Sequence, residues 1–527
     1  MRLVRAVGTG LFAVVSAVSL GSSSGCGDDG GGSRFGSSSG DAGGNDSGGS
    51  SGGSSGGLFG DDGGVSSSSG GGTAGQCPAG AQCNVSCTGT ATTSISGKVY
   101  DPALKNALYN VEVYVPGGPL EKLPAGVPTG ADACSCGALF KSGAVVSTAT
   151  GVDGSFRLVN APVGSAVPLV LQIGKWRRAI TVDTSKTPCA DAPQPDKSLS
   201  LPGTLQGAGP DDNMPDIAVS TGLADTLECL MRRIGLPDSE YVAGTSTAGH
   251  IHVFAGGNTS TGFGAGGAGL PENPGLSGAP DSSTSLWDSS AHLMPYDILL
   301  LSCEGGETYD ANPPALEAYL NAGGRAFASH FHYAWFSGPL LSKQSYSAPS
   351  DWGENLATWS IDGAGTGGLG AAAGVVDQTL NGSTQPFVKG QMLYQWLGLN
   401  GALGVHTTAH DLSIYQPRYN ATVGASNKPS QPWITSGSNT MYFSFDTPVG
   451  GIASPDGGAP AYCGRAVFSD LHVAGDPTTS DTASPPGGCG TGDLSPQEKA
   501  LEFMLFDLSS CVIPDTVAPP DGGTVLQ

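Results

Sequence analysis

The chain is poor in charge and poorer in cations: of 527 residues only 13% are charged, with 22 Lys and Arg against 45 Asp and Glu, a formal net charge of -23. Phosphate neutralisation needs clustered Lys and Arg, so nucleic-acid binding is excluded as an expectation. Long apolar runs are also missing. The longest, Ala6 to Leu20, is about 15 residues broken by Gly8, Gly10, Ser16 and Ser19, short of the roughly 20 needed to cross a bilayer. No eightfold strand–helix repeat is visible, which disfavours barrel enzymes. Glycine, by contrast, is abundant at 85 residues, and there are 12 cysteines.

Arg2 and Arg5 precede the Ala6–Leu20 run, the pattern of an export signal over 1–25. Removing these two charges takes -23 to -25. The stretch Ser23-Ser24-Gly25-Cys26 resembles the lipobox of bacterial lipoproteins, with Ser23 where a leucine is usual. That resemblance implies lipidation at Cys26, a membrane as partner and a cell-envelope location, facing periplasm or cell surface. Two or more acyl chains anchor firmly where one is marginal. An ordinary secretory peptide with Cys26 in a disulfide is the alternative. Residues 26–76 are mostly Gly and Ser with scattered Asp, too apolar-poor to fold, and read as a disordered tether reaching on the order of 40 Å. In an exported chain the cysteines read as a disulfide framework. With Cys26 assigned to lipid, eleven remain, leaving an odd thiol.

From 77 to 205 the period becomes two. Ile95, Gly97 and Val99 alternate with polar residues, as do Val111, Val113 and Val115, Phe156 and Leu158, Leu169, Leu171 and Ile173, and Ile180 and Val182. Asp153-Gly154 gives a hairpin signal, and the set predicts a β-sandwich. ISGKVYDP (95–102), NVEVYVPGG (110–118) and TGVDGSFRLVNAPVG (150–164) resemble the carboxypeptidase regulatory-like, transthyretin-like family. That resemblance implies a non-catalytic accessory module; similar folds bind carbohydrate. The insert with Cys134 and Cys136 departs from the simple family pattern.

Residues 206–513 switch to strand, helix, strand. PDIAVSTG (215–222), HIHVFAGG (250–257), YDILLLSCEGG (296–306), RAFASHFHY (325–333) and CGRAVFSDLHV (463–473) read as strands. Leu223, Leu227, Leu230, Met231 and Ile234 mark one helix; Asn312 with Pro313 starts another; Ser495, Pro496 and Glu498 form a capping box for the last. The pattern predicts a doubly wound, mostly parallel, flavodoxin-like α/β domain with an irregular insertion at about 338–440 and a flexible tail, 514–527. The strand at 296–306 and the helix and strand at 315–333 resemble the class I glutamine amidotransferase-like group and its trehalose-utilisation-like branch. That group implies a nucleophilic cysteine in G-x-C-x-G at a tight elbow and a distal H-x-E. Here Leu301 replaces the first glycine, and Asp470 and His472 give D-x-H.

In such sheets ligands bind beyond the carboxyl ends of the strands, where Cys303, Glu304, His330 and His472 fall as candidate catalytic groups. His330 and His332, spaced to share one side of a strand, join His472 as a candidate metal set. The alternative to both is a hydrogen-bonded or disulfide-bonded Cys303 and histidines hydrogen-bonded at strand ends. Lys175, Trp176, Arg177 and Arg178 are the one basic, aromatic cluster, suited to an anionic polysaccharide or to guarding a strand edge. Cys463, opening a strand, and Cys511, closing a helix, form the candidate disulfide of this half. The leading expectation is a non-catalytic binding or scaffold lipoprotein needing no cofactor; the alternative is an envelope hydrolase using the Cys303 thiol or a histidine-bound metal.

Overall fold

A computed structural model describes residues 76–134, 136–257, 275–341, 344–361, 371–405, 410–453, 460–476, 481, 485–513 and 515. The signal segment, Cys26, the Gly/Ser tether and nearly all of the tail lie outside the described residues. No helix among those described is long and apolar enough to cross a membrane.

The alternating segments do form two facing four-stranded sheets. One contains Ser94–Tyr100, Ser155–Val159, Asp191–Pro193 and Leu199–Ser200; the other runs Ala144–Ala149, Glu112–Pro116, Val167–Ile173, Trp176–Val182. Inward residues Ile95, Val99, Val113, Val115, Leu158, Leu169 and Leu171 are fully buried, as a period of two requires of a half-buried strand. The Asp153-Gly154 turn does not close a hairpin. Ala144–Ala149 pairs with Glu112–Pro116, and Ser155–Val159 pairs with Ser94–Tyr100, so the turn carries the chain from one sheet to the other. Asp153 caps it locally, accepting from Ser155 N at 3.0 Å and Oγ at 2.6 Å. The turn chemistry is the same in both cases, which is why sequence could not tell them apart.

The second half is built on a ten-stranded mixed sheet. Its order is Tyr241–Ala243, Ile251–Phe254, Ile217–Ser220, Ile298–Leu301, Arg325–Ser329, Gly464–Ser469, Asn439–Thr447, Ser430–Ser436, Ala372–Val376, Leu412–Ile414. The first six are parallel and the last four join antiparallel. The 338–440 insertion is therefore not simply irregular. It contributes three sheet strands and the helix Val388–Leu399. Its strands are short and carry little alternation, so their pairing comes from the neighbouring Asn439–Thr447 strand rather than from local pattern.

The two faces of the sheet bury separate cores. Ile217, Val219, Ile298, Leu300, Phe327 and Val467 pack on one side with helices Leu227–Arg233, Val388–Leu399 and Pro496–Ser509. Ala218, Leu299, Leu301, Ala326, Ala328 and Phe468 pack on the other with helix Pro313–Asn321. The caps are as read: Ser495 and Glu498 make a reciprocal capping box, and Asn312 accepts from Ala315 N.

The sandwich shares the first of these cores. Trp176 lies 5.8 Å from Phe506 and Tyr109 stacks 5.8 Å from Phe503, both rings of the last helix. The Trp396 indole donates to Ala107 O at 2.7 Å.

The disulfides reinforce this union. Cys77–Cys83 and Cys87–Cys189 staple the sandwich, Cys229–Cys489 staples the second half, and Cys134–Cys463 joins the two. The expected Cys463–Cys511 pair is thus replaced: Cys463 bonds to the sandwich insert, and Cys511 is disulfide-bonded elsewhere. Sequence order says nothing of which loop tips a tertiary interface brings within disulfide reach.

Candidate functional site

The carboxyl ends of three adjacent parallel strands, Ile298–Leu301, Arg325–Ser329 and Gly464–Ser469, deliver Cys303, His330 and His472 to one point. Cys303 Sγ lies 3.3 Å from His330 Nδ1, and that nitrogen lies 2.9 Å from His472 Nε2. All three residues are buried. Cys303 is the one free cysteine among the described residues, in keeping with the odd count.

The Arg325–Ser329 strand stops earlier than its sequence predicts. His330 turns into the left-handed region at φ 45°, and His330–His332 is a tight helical turn leading into helix Tyr333–Ser337. The alternation that would have kept His330 and His332 together is broken. His332 faces away: its Nδ1 meets Ser329 O at 3.3 Å and its ring stacks on Trp335. The candidate metal set is corrected to Cys303, His330 and His472. A non-glycine residue held at positive φ costs of order 1 kcal/mol and is concentrated at functional sites. Cys303 itself sits on no such elbow. The strained strand-to-helix turn belongs to His330, one strand over.

Around the trio stands a layer the sequence did not disclose. Gln416 Oε1 lies 2.8 Å from His472 Nδ1, and Arg418 Nη2 lies 3.2 Å from the same atom. A guanidinium only donates, so these two neighbours ask for opposite tautomers; the shorter Gln416 contact favours a proton on Nδ1 and a lone pair on Nε2. Asp470 Oδ2 accepts from Asn420 N and Ala421 N, and Arg418 N donates to Asp470 O. Asp225 accepts from Val473 N and Ala474 N, both at 2.9 Å, and so holds the turn after His472. Ser329 Oγ accepts from Cys303 N. Gln416, Arg418 and Asn420 come from the insertion, about 50 residues before His472 in sequence, and no local spacing points to them.

No known protein family, characterised protein or solved structure matches this chain. The site therefore stands on its geometry.

Its electrostatics are unusual. Burial pushes the acids up, Asp225 to about 6, Asp470 to about 7, and Glu228 and Glu304 to about 8. Burial pushes the Cys303 thiol up to about 12, against the pull of the facing Phe331 and Gly305 amides. His332 and His472 fall to about 3 and His330 well below its ordinary value, again through burial first. Among the described residues Asp470 Oδ1, Ser469 Oγ, and the Nε2 atoms of His330 and His332 have no hydrogen-bond partner. Buried polar atoms are nearly always paired; here several that are not share one end of one sheet.

A cleft of about 430 Å³ adjoins the centre, lined by Asp225, Thr226, Tyr415, Gln416, Ala474 and Asp476. It shares Asp225 and Gln416 with the site and falls in the size range of small-molecule pockets. At the switch point between the Ile217–Ser220 and Ile298–Leu301 strands, a Cβ added to Gly222 would lie 2.2 Å from Cys303 O, so only glycine allows that approach.

The basic cluster is elsewhere. Trp176 is fully buried, and Lys175 and Arg177 nearly so. Lys175 bonds Gly126 O and Asp297, Arg177 donates to Asp211 O and Glu121 O, and Arg178 to Ser200. Lys175, through Asp297, and Trp176, against Phe506, tie the sandwich to the α/β half, while Arg177 and Arg178 bond within the sandwich and its linker.

Proposed function

We propose that the chain is an envelope hydrolase that works through the strand-end centre of its α/β half, with the β-sandwich as a brace. The observation that carries this reading is the contact chain from Cys303 Sγ to His330 Nδ1 at 3.3 Å and on to His472 Nε2 at 2.9 Å. A thiol and two imidazoles in hydrogen-bond contact, one of them held by Gln416 at the cleft wall, form a centre that can orient an attacking water and take up its proton. Cys303 is fully buried and cannot meet a bulky substrate directly. The attacking group is water entering by the cleft beside Gln416.

The strand order favours a flavodoxin-like reading of the sheet. Leaving aside the edge strand Tyr241–Ala243, the parallel strands run second, first, third, fourth, fifth, and ligands in such sheets sit beyond the carboxyl ends at the switch point. The signal segment and Cys26 support a lipid-anchored envelope location. The transthyretin-like resemblance supports an accessory role for the sandwich.

The test is turnover of chromogenic ester, amide and phosphoester substrates by natively exported protein, beside Cys303→Ala and His472→Ala variants. Activity lost in both variants at unchanged unfolding midpoint is expected. Absence of turnover across all three classes, or full activity in both variants, returns the chain to a non-catalytic scaffold.

A further inference from the structure

We propose that Cys303, His330 and His472 form a binding site for a divalent transition-metal ion of the zinc class, with its fourth position open to water. The inference deepens the hydrolytic reading, since it rests on the same centre, but it stands on separate observations.

The first is geometric. One ligand atom from each of Cys303, His330 and His472 lies within 4.8 Å of the other two. Zinc bonds of about 2.0 Å to nitrogen and 2.3 Å to sulfur, at tetrahedral angles, separate ligand atoms by roughly 3.3–3.5 Å. The observed 3.3 and 2.9 Å contacts need only a few tenths of an ångström of expansion. One thiolate with two imidazoles is a donor set for zinc-class ions, and three protein ligands are the number found in catalytic rather than structural sites.

The second is the outer layer. Metal-bound imidazoles usually give their other N–H to a carbonyl or carboxylate, which fixes the tautomer. Gln416 Oε1, 2.8 Å from His472 Nδ1, does this and leaves Nε2 to bind.

The third is charge. Asp225, Glu228, Glu304 and Asp470 are buried at these strand ends, and Arg418 is the guanidinium in contact with the centre. Buried carboxylates require paired charge or neutralisation. Among the described residues Oδ1 of Asp470 has no hydrogen-bond partner, and the Gly257 amide is the group that draws the Glu304 carboxyl down against its burial. A bound divalent ion supplies positive charge where the side chains do not. On binding, the Cys303 S–H bond breaks, the proton leaves to solvent and the sulfur pair enters the metal bond.

Cobalt(II) is the probe, added to oxidised, full-length protein after chelator treatment. The expected result is stoichiometric uptake with a thiolate-to-cobalt charge-transfer band in the near ultraviolet and tetrahedral d–d bands in the visible. Cys303→Ala abolishes the charge-transfer band, His472→Ala weakens uptake at least tenfold, and His332→Ala leaves both unchanged. Cys303→Ser serves as the conservative check on folding, followed by near-ultraviolet circular dichroism. Folded wild type that takes up no cobalt, or a charge-transfer band that survives Cys303→Ala, overturns the site. Uptake without turnover leaves the metal site standing and removes the hydrolytic reading. Turnover that persists in metal-free protein but not in Cys303→Ala removes the metal and keeps a thiol enzyme.

Discussion

The two ends of the parallel strands treat buried charge in opposite ways. At the amino-terminal ends each guanidinium and ammonium has partners. Lys175 pairs with Asp297; Arg325 donates to Gly323 O, Cys463 O, Leu508 O and Ser510 O; Arg465 reaches Asp446, Asp507 and Asp515. Burial pushes the Asp507 carboxyl up, yet Lys389 and Arg465 outweigh it and hold Asp507 below its ordinary range. At the carboxyl ends, acids and imidazoles are buried, and among the described residues Asp470 Oδ1 and the Nε2 atoms of His330 and His332 are left unpaired. A satisfied network rigidifies, while an unsatisfied one costs stability and is kept where a ligand completes it. The base of the sheet, where the sandwich docks, is braced by paired charge, and the tip is where the proposed chemistry would sit.

The largest expected effect breaks the base. Arg465→Met takes the guanidinium from Asp446 and Asp515 and leaves Asp507 with Lys389 alone, and should cost about 3–5 kcal/mol, as removal of one partner from a buried ionic network does. A loss under about 1 kcal/mol in urea unfolding would mean the network is not what holds this end.

Glu112 is the exception that sharpens the contrast. It lies in the sandwich, buried, with neither oxygen hydrogen-bonded, and burial raises it from 4.5 to about 7. The folded state therefore holds a proton that the unfolded chain has already released, so its contribution is full below about pH 4.5 and is lost as pH rises towards about 7. By linkage this amounts to about 3 kcal/mol. Urea midpoints for wild type and Glu112→Gln between about pH 4 and about pH 8 should diverge by that amount. Parallel curves would show that Glu112 ionises freely.

The smallest effect is at the tip. Glu304→Gln replaces a buried carboxyl that burial pushes up to about 8 and keeps an acceptor for the Gly257 amide, so it should leave stability unchanged or raise it by up to about 1 kcal/mol, the trade expected where function and stability compete. A drop of about 2 kcal/mol or more on thermal unfolding would place Glu304 among the structural groups of the base instead.

Local signals were legible where one segment carried its own evidence. The Ser495 capping box, the Asn312 cap, the period of two in the sandwich and the central strands Ile217–Ser220 and Ile298–Leu301 all rest on neighbours within a few residues. Failures came where a distant partner decided. The early end of the Arg325–Ser329 strand at a left-handed His330 has no sequence signature, because histidine seldom adopts that conformation unless its surroundings impose it. Trp176 and its basic neighbours have the composition of a surface cluster, yet the last helix covers them. Long cationic side chains can be buried when carbonyls and carboxylates meet their heads.

Sequence alone determined the Gly/Ser tract, the alternating strands and the helix caps, because each depends on composition or on contacts a few residues apart. Only tertiary structure decided that Cys134 bonds Cys463, that the insertion extends the sheet, and that Cys303 meets His330 and His472 under Gln416 and Arg418. Those contacts join strands and loops up to hundreds of residues apart. Their placement follows from sheet order and core packing, which no local pattern contains.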